Sequence, residues 1–168
     1  MTCQHLGYAR TVTATRWLTA PEDRAWRGYR RMRALLDLRI NRDLTNDAGL
    51  SEPDYDVLSN VSEAPGRTMR MNELAARMLW TRTRVSHQVR RMEQRGLVTR
   101  GECPGDARGA MVELTEAGWS AIRAAAPDHV RSVRDNLIDL LSPEQIATLG
   151  DIADHVIERL TMDERKPR

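Results

Sequence analysis

Only two cysteines, Cys3 and Cys103, occur in the chain. They stand too far apart in sequence to form a disulfide framework, so a reducing, cytoplasmic compartment is expected. No run approaches the roughly 18 uninterrupted apolar residues that a membrane span needs. Met1 to Ala20 has no apolar block followed by a small-residue cleavage site, so no secretion signal is expected. Phosphate-binding glycine loops, metal-ligand spacings and nucleophile elbows are all missing. The histidines, His5, His87, His129 and His155, include no i, i+4 pair, which argues against a metal site. An enzyme would need an acid and base, or a nucleophile and its base, in one pocket, and the sequence pairs no such groups. The expectations are no catalytic residue, no metal, no cofactor and no membrane partner.

Lysine is almost absent too, since Lys166 stands alone and arginine carries the positive charge. The 168 residues suit one domain, or one domain with an added dimerisation element. With 40% hydrophobic and 30% charged residues the chain can build a core and is not a disordered tail. The net charge of +2 hides a division. From Gly66 to Ala110 ten arginines face four acids, a balance of +6, whereas Asp128 to Arg168 holds six basic and nine acidic residues, a balance of −3. A basic middle and an acidic end suit one surface that meets a polyanion and another that does not; ordinary arginine-rich surface is the competing reading.

Residues 1–20 lack periodicity and read as an arm. From Pro21 a helix is expected, with Glu22 and Asp23 in its first turn and Ala25, Tyr29, Met32, Leu36 and Ile40 on one stripe. Ser51 caps a second helix that accommodates Pro53 in its first turn and buries Tyr55, Leu58 and Val61. A third covers about Met71 to Met78. A fourth runs from about Thr81 to Arg95 and stops at Gly96. The period then changes. Leu97–Cys103 and Ala110–Leu114 read as strands joined by the loop Pro104–Gly109. Thr115 caps a helix to about Leu141 that contains Pro127. Ser142-Pro-Glu-Gln145 is a capping box opening a last helix, with Ile146, Leu149, Ala153, Val156 and Leu160 at 3-4 spacing.

Helices three and four form a helix-turn-helix candidate. On helix four Val85, Val89 and Met92 share one face, and Thr83, His87, Arg90, Arg91 and Gln94 point the other way. That face of donors and cations suits a major groove; a solvated amphipathic helix is the alternative. Thr81 is a good N-cap, and the amides it precedes can hold a phosphate. Arg108 at the hairpin tip can enter a minor groove, with Asp106 placed to direct it, although a plain surface turn would look the same.

Leu74-Ala-Ala-Arg-Met-Leu-Trp-Thr-Arg-Thr-Arg-Val-Ser-His-Gln-Val-Arg-Arg-Met-Glu-Gln-Arg-Gly-Leu-Val98 resembles the helix-turn-helix of the multiple-antibiotic-resistance regulator (MarR) family. Asp106-Ala-Arg108 resembles that family's wing signature, and Leu114-Thr-Glu-Ala-Gly118 follows at the usual distance. The resemblance runs from about Glu22 to Leu160. It departs in the turn, where the family often has glycine and this chain has Leu79-Trp80; Trp80 is expected to plug the turn. The resemblance implies a mainly α fold with a small β wing: a winged helix-turn-helix at 51–115 and dimerisation helices at 21–50 and 116–168, after the arm at 1–20. It implies a homodimer on double-stranded DNA, most often a repressor released by a small aromatic or lipophilic effector. Base reading then falls to Thr83, Arg84, His87 and Arg90, the wing to Asp106 and Arg108, and phosphate contact to Thr81, Arg82 and Arg91. Trp17, Trp26, Tyr29 and Tyr55 become candidate walls of an effector pocket, with core packing as the competing reading. Two alternatives stand beside this one. Cys103, with Arg100 nearby, or Cys3 can serve a redox-sensing regulator. A winged helix can also bind protein without DNA.

Overall fold

The computed structural model describes residues 15–103 and 106–164, without the side chains of residues 103, 106–108, 163 and 164. Two compact units are distinguished, Met1–Ala34 and Leu35–Arg168, and helix α1 (Ala20–Ala48) has its first part in one and its last part in the other. In the first unit the backbone N–H and hydroxyl of Thr19 donate to the Glu22 carboxylate at 2.7 and 2.9 Å, closing the helix start. Trp26 and Tyr29 stack with their centroids 6.1 Å apart, and both rings are exposed.

The second unit carries α2 (Glu52–Ser62), β1 (Thr68–Arg70), α3 (Met71–Arg77), α4 (Arg82–Gln94), β2 (Val98–Cys103), β3 (Asp106–Leu114), α5 (Glu116–Asn136) and α6 (Pro143–Glu164). Its fold is mainly α with a three-stranded antiparallel sheet in the order β1-β3-β2. The core forms where the apolar faces of α2, α3, α4 and α5 meet one face of the sheet: Val57, Leu58, Val61, Met69, Leu74, Val85, Val89, Met92, Val98, Val112 and Ile122 are all buried. The sheet is registered by Met69 opposite Val112 and Val98 opposite Leu114. Close packing joins α5 to the end of α4. The Thr115 hydroxyl donates to the Gly96 carbonyl at 2.7 Å, and a Cβ on Gly118 would lie 2.0 Å from the Leu97 carbonyl oxygen, so only glycine fits there.

Three expectations about local structure need correction. Strand β1 was not foreseen, because three residues with only Met69 turned inward carry no readable period. Strand β3 begins at Asp106 and not at Ala110, with Asp106 paired to Cys103 and Ala110 to Glu102. Asp106 pairs despite its turn-type neighbours, and a register shift between Glu102 and Cys103 takes up residues 107–109. Helix α5 stops at Asn136 and not at Leu141: the Asn136 side chain bonds back to the Ser132 carbonyl at 2.8 Å, and Leu137 leaves helical geometry. A 3-10 turn at Ile138–Leu140 follows, and the helix itself runs through Pro127. Pro104, Gly105 and the arm up to residue 14 lie outside the described residues.

The angle of α4 is set from α2. Ser51 caps α2, and Asp54 completes a capping box by accepting from the Ser51 N–H at 3.0 Å and its hydroxyl at 2.8 Å. The same carboxylate reaches across to α4. Oδ1 accepts from the buried Gln88 amide at 2.7 Å, and Oδ2 accepts from Arg95 at 2.7 Å. Four donors thus meet the roughly four acceptor sites of one carboxylate. Burial alone pushes the Asp54 carboxyl up, but the Arg95 hydrogen bond, the two Ser51 bonds and the Arg95 charge outweigh it and leave the pKa lowered. Gln88 passes the connection on by accepting from Arg91.

The turn before α4 has its own constraint. Leu79 takes φ +52 although it is not glycine, and its side chain is 86% exposed. That conformation lets the Trp80 N–H reach the Ala75 carbonyl at 2.9 Å and brings the Trp80 ring against the core.

Asp54 binds fewer protons folded than unfolded, so its contribution is complete above its ordinary value of 3.8 and is lost as pH falls toward the lowered folded value. Denaturant titrations from about pH 5 to pH 2 are expected to show stability falling with acid more steeply in the wild type than in Asp54→Asn. Asp54→Ala is expected to cost about 2–3 kcal/mol at neutral pH, from lost bonds to a charged group. Equal slopes in wild type and Asp54→Asn contradict this assignment. At the turn, Leu79→Gly is expected to be neutral or stabilising by up to about 1 kcal/mol, and Leu79→Val destabilising by about 1 kcal/mol or more. Thermal melts that rank the two the other way contradict the strain reading.

Candidate nucleic-acid interface

Thr81 starts α4 by accepting the Arg84 N–H at 3.2 Å on its hydroxyl oxygen. From there the helix is two-sided. Val85, Gln88, Val89 and Met92 are buried, while Arg82, Thr83, Arg84, His87, Arg90, Arg91 and Gln94 are exposed. The apolar stripe anchors α4, so its outward face carries hydroxyl, imidazole, amide and guanidinium groups with no acid among them. The one acid of the helix, Glu93, is engaged by Arg100 at 2.7 Å. Among the described residues, no side-chain hydrogen bond or ion pair engages Arg82, His87 or Arg90. These three donors are thus presented outward on an exposed helix face.

Four of the residues expected to touch DNA, namely Arg84, His87, Arg90 and Arg91, line one open cleft of about 600 Å³. Its other walls include Pro53 at the start of α2 and Trp80 in the turn. Thr81, Arg82 and Thr83 lie at the N-terminal end of the same helix, where free backbone amides favour an anion. Arg84 and Arg91 differ from the other cations in being engaged. The Arg84 guanidinium lies 3.8 Å from the centroid of the Trp80 ring, and Arg91 donates to Gln88. Gln88 and Asp54 belong to this site as its support, and sequence reasoning missed both. A glutamine inside the Val85-Val89-Met92 stripe was the available signal, together with the Ser51-to-Asp54 spacing of a capping box.

The backbone of β3 carries Asp106 and Arg108 beside the pairing of Cys103 with Asp106. The side chains of Asp106 and Arg108, and with them the wing assignment, lie outside the described residues. The same holds for the Cys103 side chain and for Cys3. Arg100, the cation that sequence placed near Cys103, has its charge met by Glu93.

The aromatic residues proposed as pocket walls fall into both units. Trp17, Trp26 and Tyr29 in the first are 83%, 52% and 51% exposed. Tyr55 in the second packs on His129 with ring centroids 4.1 Å apart. Burial raises the Tyr55 pKa, with smaller contributions from Asp56 and Glu63. Burial likewise lowers the His129 pKa, and His129 Nδ1 has no hydrogen-bond partner among the described residues. Among the described residues, no helix is long and apolar enough to cross a membrane, and no group of three or more His, Cys, Asp or Glu side chains is placed to hold a metal ion.

Residues 48–109 match the MarR family. Among curated proteins, the transcriptional regulator HosA of Escherichia coli O111:H- is 32% identical over 96 residues, which is 57% of this chain and 69% of that protein. Among solved structures, AbsC, a MarR family transcriptional regulator from Streptomyces coelicolor, is similar with a TM-score of 0.84 and 42% identity, covering 88% of this chain and 99% of AbsC. Sco3205, a MarR family transcriptional regulator from the same organism whose structure is in complex with DNA, has a TM-score of 0.84 and 43% identity, covering 87% of this chain and 91% of Sco3205.

Proposed function

This chain belongs to the MarR family and is a transcriptional regulator, not an enzyme, and from that premise we propose that it acts as a homodimer which reads a pseudo-palindromic DNA operator through α4. One observation carries the reading. Arg82, His87 and Arg90 are exposed on a rigidly seated helix, and no other described side chain engages them. Burying three such donors against apolar protein would leave them unsatisfied, whereas a DNA groove offers phosphate oxygens and base edges together. The structure of Sco3205 in complex with DNA supports the same use of this fold. Base edges fall to Thr83, Arg84, His87 and Arg90, phosphates to Thr81, Arg82 and Arg91, and the flanking groove to the wing at Asp106 and Arg108. A winged helix that binds protein in place of DNA would leave the arginine face without its anionic partner.

The dimer is supported by apolar surface that the single chain leaves bare. On α6, Ile152, Val156, Ile157, Leu160 and Met162 are each about half exposed or more, an arrangement that water disfavours. On α1, Leu35 and Leu38 are 56% and 58% exposed. The charges of these helices are also complementary. Helix α6 holds six carboxylates against Arg159, while the first half of α1 holds Arg24, Arg27, Arg30, Arg31 and Arg33. A second copy that laid its α1 against α6 would cover both faces and pair both charges. Two copies of α4 would then enter successive major grooves about 34 Å apart. Repression follows when such a dimer occludes a promoter. An effector that altered the separation of the two α4 helices would weaken binding by a coupling of about 1–3 kcal/mol. Within the second unit, Tyr55, packed on His129, is the aromatic residue proposed to meet a small aromatic or lipophilic effector.

Affinity for duplexes enriched from a random pool is expected to fall by about 10³–10⁵ between 50 and 200 mM salt for some 6–10 phosphate contacts. Arg82→Ala is expected to weaken all sequences alike and to flatten that salt slope by about one, whereas His87→Ala and Arg90→Ala are expected to lose about 1–3 kcal/mol at one base pair per half-site. Absence of binding at low salt overturns the proposal. For the dimer, Ile157→Asp is expected to convert a two-chain particle to one chain in sedimentation, with loss of tight DNA binding. A wild-type protein that sediments as one chain contradicts that part.

A further inference from the structure

Trp80 and Arg84 form a unit that the reading of α4 as a helix face does not by itself require. Trp80 immediately precedes the N-cap Thr81, and Arg84 is the third residue of the helix. The ring is fixed from three directions. Its backbone N–H is bonded to the Ala75 carbonyl, its preceding residue is held at positive φ, and the indole packs against the edge of the core. The Arg84 guanidinium lies over the face of that ring at 3.8 Å. Asp56 on α2 is the charged group that Arg84 faces: burial pushes the Asp56 carboxyl up, and the Arg84 charge partly opposes that.

A guanidinium has two kinds of surface. Its flat faces stack on aromatic rings, and its edge carries the N–H donors in a fixed fork. The two uses do not compete, because a guanine O6/N7 edge is met by the fork and not by the face. A free arginine at an exposed helix start must give up its rotamer freedom on binding; one already laid on a ring gives up less. We propose that Trp80 is a positioning residue, a platform that presents the Arg84 fork toward a guanine edge before DNA arrives and so sets sequence preference at one base pair of each half-site. This rests on the DNA-reading proposal above and adds to it the residue that directs one of its readers.

The test is a double-mutant cycle. Duplexes enriched from a random pool by the wild-type protein, and the same duplexes changed one base pair at a time, are titrated by fluorescence anisotropy with wild type, Trp80→Leu, Trp80→Phe, Arg84→Ala and the Trp80→Leu/Arg84→Ala double variant. Circular dichroism checks each fold. Trp80→Leu is expected to lose roughly three- to thirtyfold in affinity for the enriched duplex, the worth of a cation–π contact. The loss is confined to discrimination at one base pair per half-site, and the salt slope is unchanged. Trp80→Phe, which keeps an aromatic face, retains most of the discrimination. In the Arg84→Ala background Trp80→Leu makes no further difference. An equal loss in that background, or no loss in Trp80→Leu, overturns the platform role. Should Trp80→Leu not fold, the cycle with Trp80→Phe decides in the same way, its smaller loss vanishing or persisting beside Arg84→Ala. A wild-type protein that enriches no duplex overturns the DNA-reading proposal itself, and this inference with it.

Discussion

The fold turns on one buried carboxylate. Asp54 accepts hydrogen bonds from Ser51, Gln88 and Arg95, and so ties the first turn of α2 to the middle and the C-terminal cap of α4. A buried charge is a liability unless its acceptor sites are met, and here they are met by groups from two helices. Apolar contacts alone permit a helix to roll by small amounts on its core. A carboxylate with directional donors from both sides does not. The azimuth of α4, and with it the direction of every side chain on its outward face, follows from this contact.

With α4 seated, the rest of the arrangement is a consequence of two-sidedness. Val85, Val89 and Met92 are buried, which leaves Arg82, Thr83, His87 and Arg90 turned to solvent. Exposed arginines alone are ordinary, since many surface cations sit beside carboxylates that meet their charge, as Arg100 sits beside Glu93. The outward face of α4 differs in having no carboxylate among its exposed groups, because the one acid of the helix, Glu93, is taken by Arg100. Its charge is left for a partner, and the family relationship names nucleic-acid regulation as the setting in which that partner is found.

Much of this was legible in the sequence because the relevant signals are local. Ser51, Thr81 and Thr115 mark helix starts by their hydroxyls, and each caps the helix it was expected to cap. Gly96 adopts positive φ at the end of α4, as its place after the periodic stripe required. The helix-turn-helix could be read through the 3.6-residue period of Val85, Val89 and Met92. What escaped was non-local or too short. Met69 lies in a strand of three residues, below the length at which alternation shows. Asp106 stands in a stretch of turn composition yet pairs with Cys103, because the ladder is made by backbone groups that composition does not report. The bond from Gln88 to Asp54 spans 34 positions and involves two polar residues, so no hydropathy pattern announces it. Leu79 was recognisable as a departure from glycine, but that it accepts the left-handed conformation glycine would take is a fact of the folded chain.

The central claim is that the Asp54 contact aims the reading face and does more than hold the domain together. Its most direct test is the ratio of affinity for an enriched duplex to affinity for random duplex, measured with folded Asp54→Asn protein and with wild type at the same salt. The account requires that ratio to fall in the variant while random-duplex affinity and its salt dependence stay as they were, because the arginines of the outward face remain and only their aim is lost. An unchanged ratio in a folded Asp54→Asn protein would contradict it.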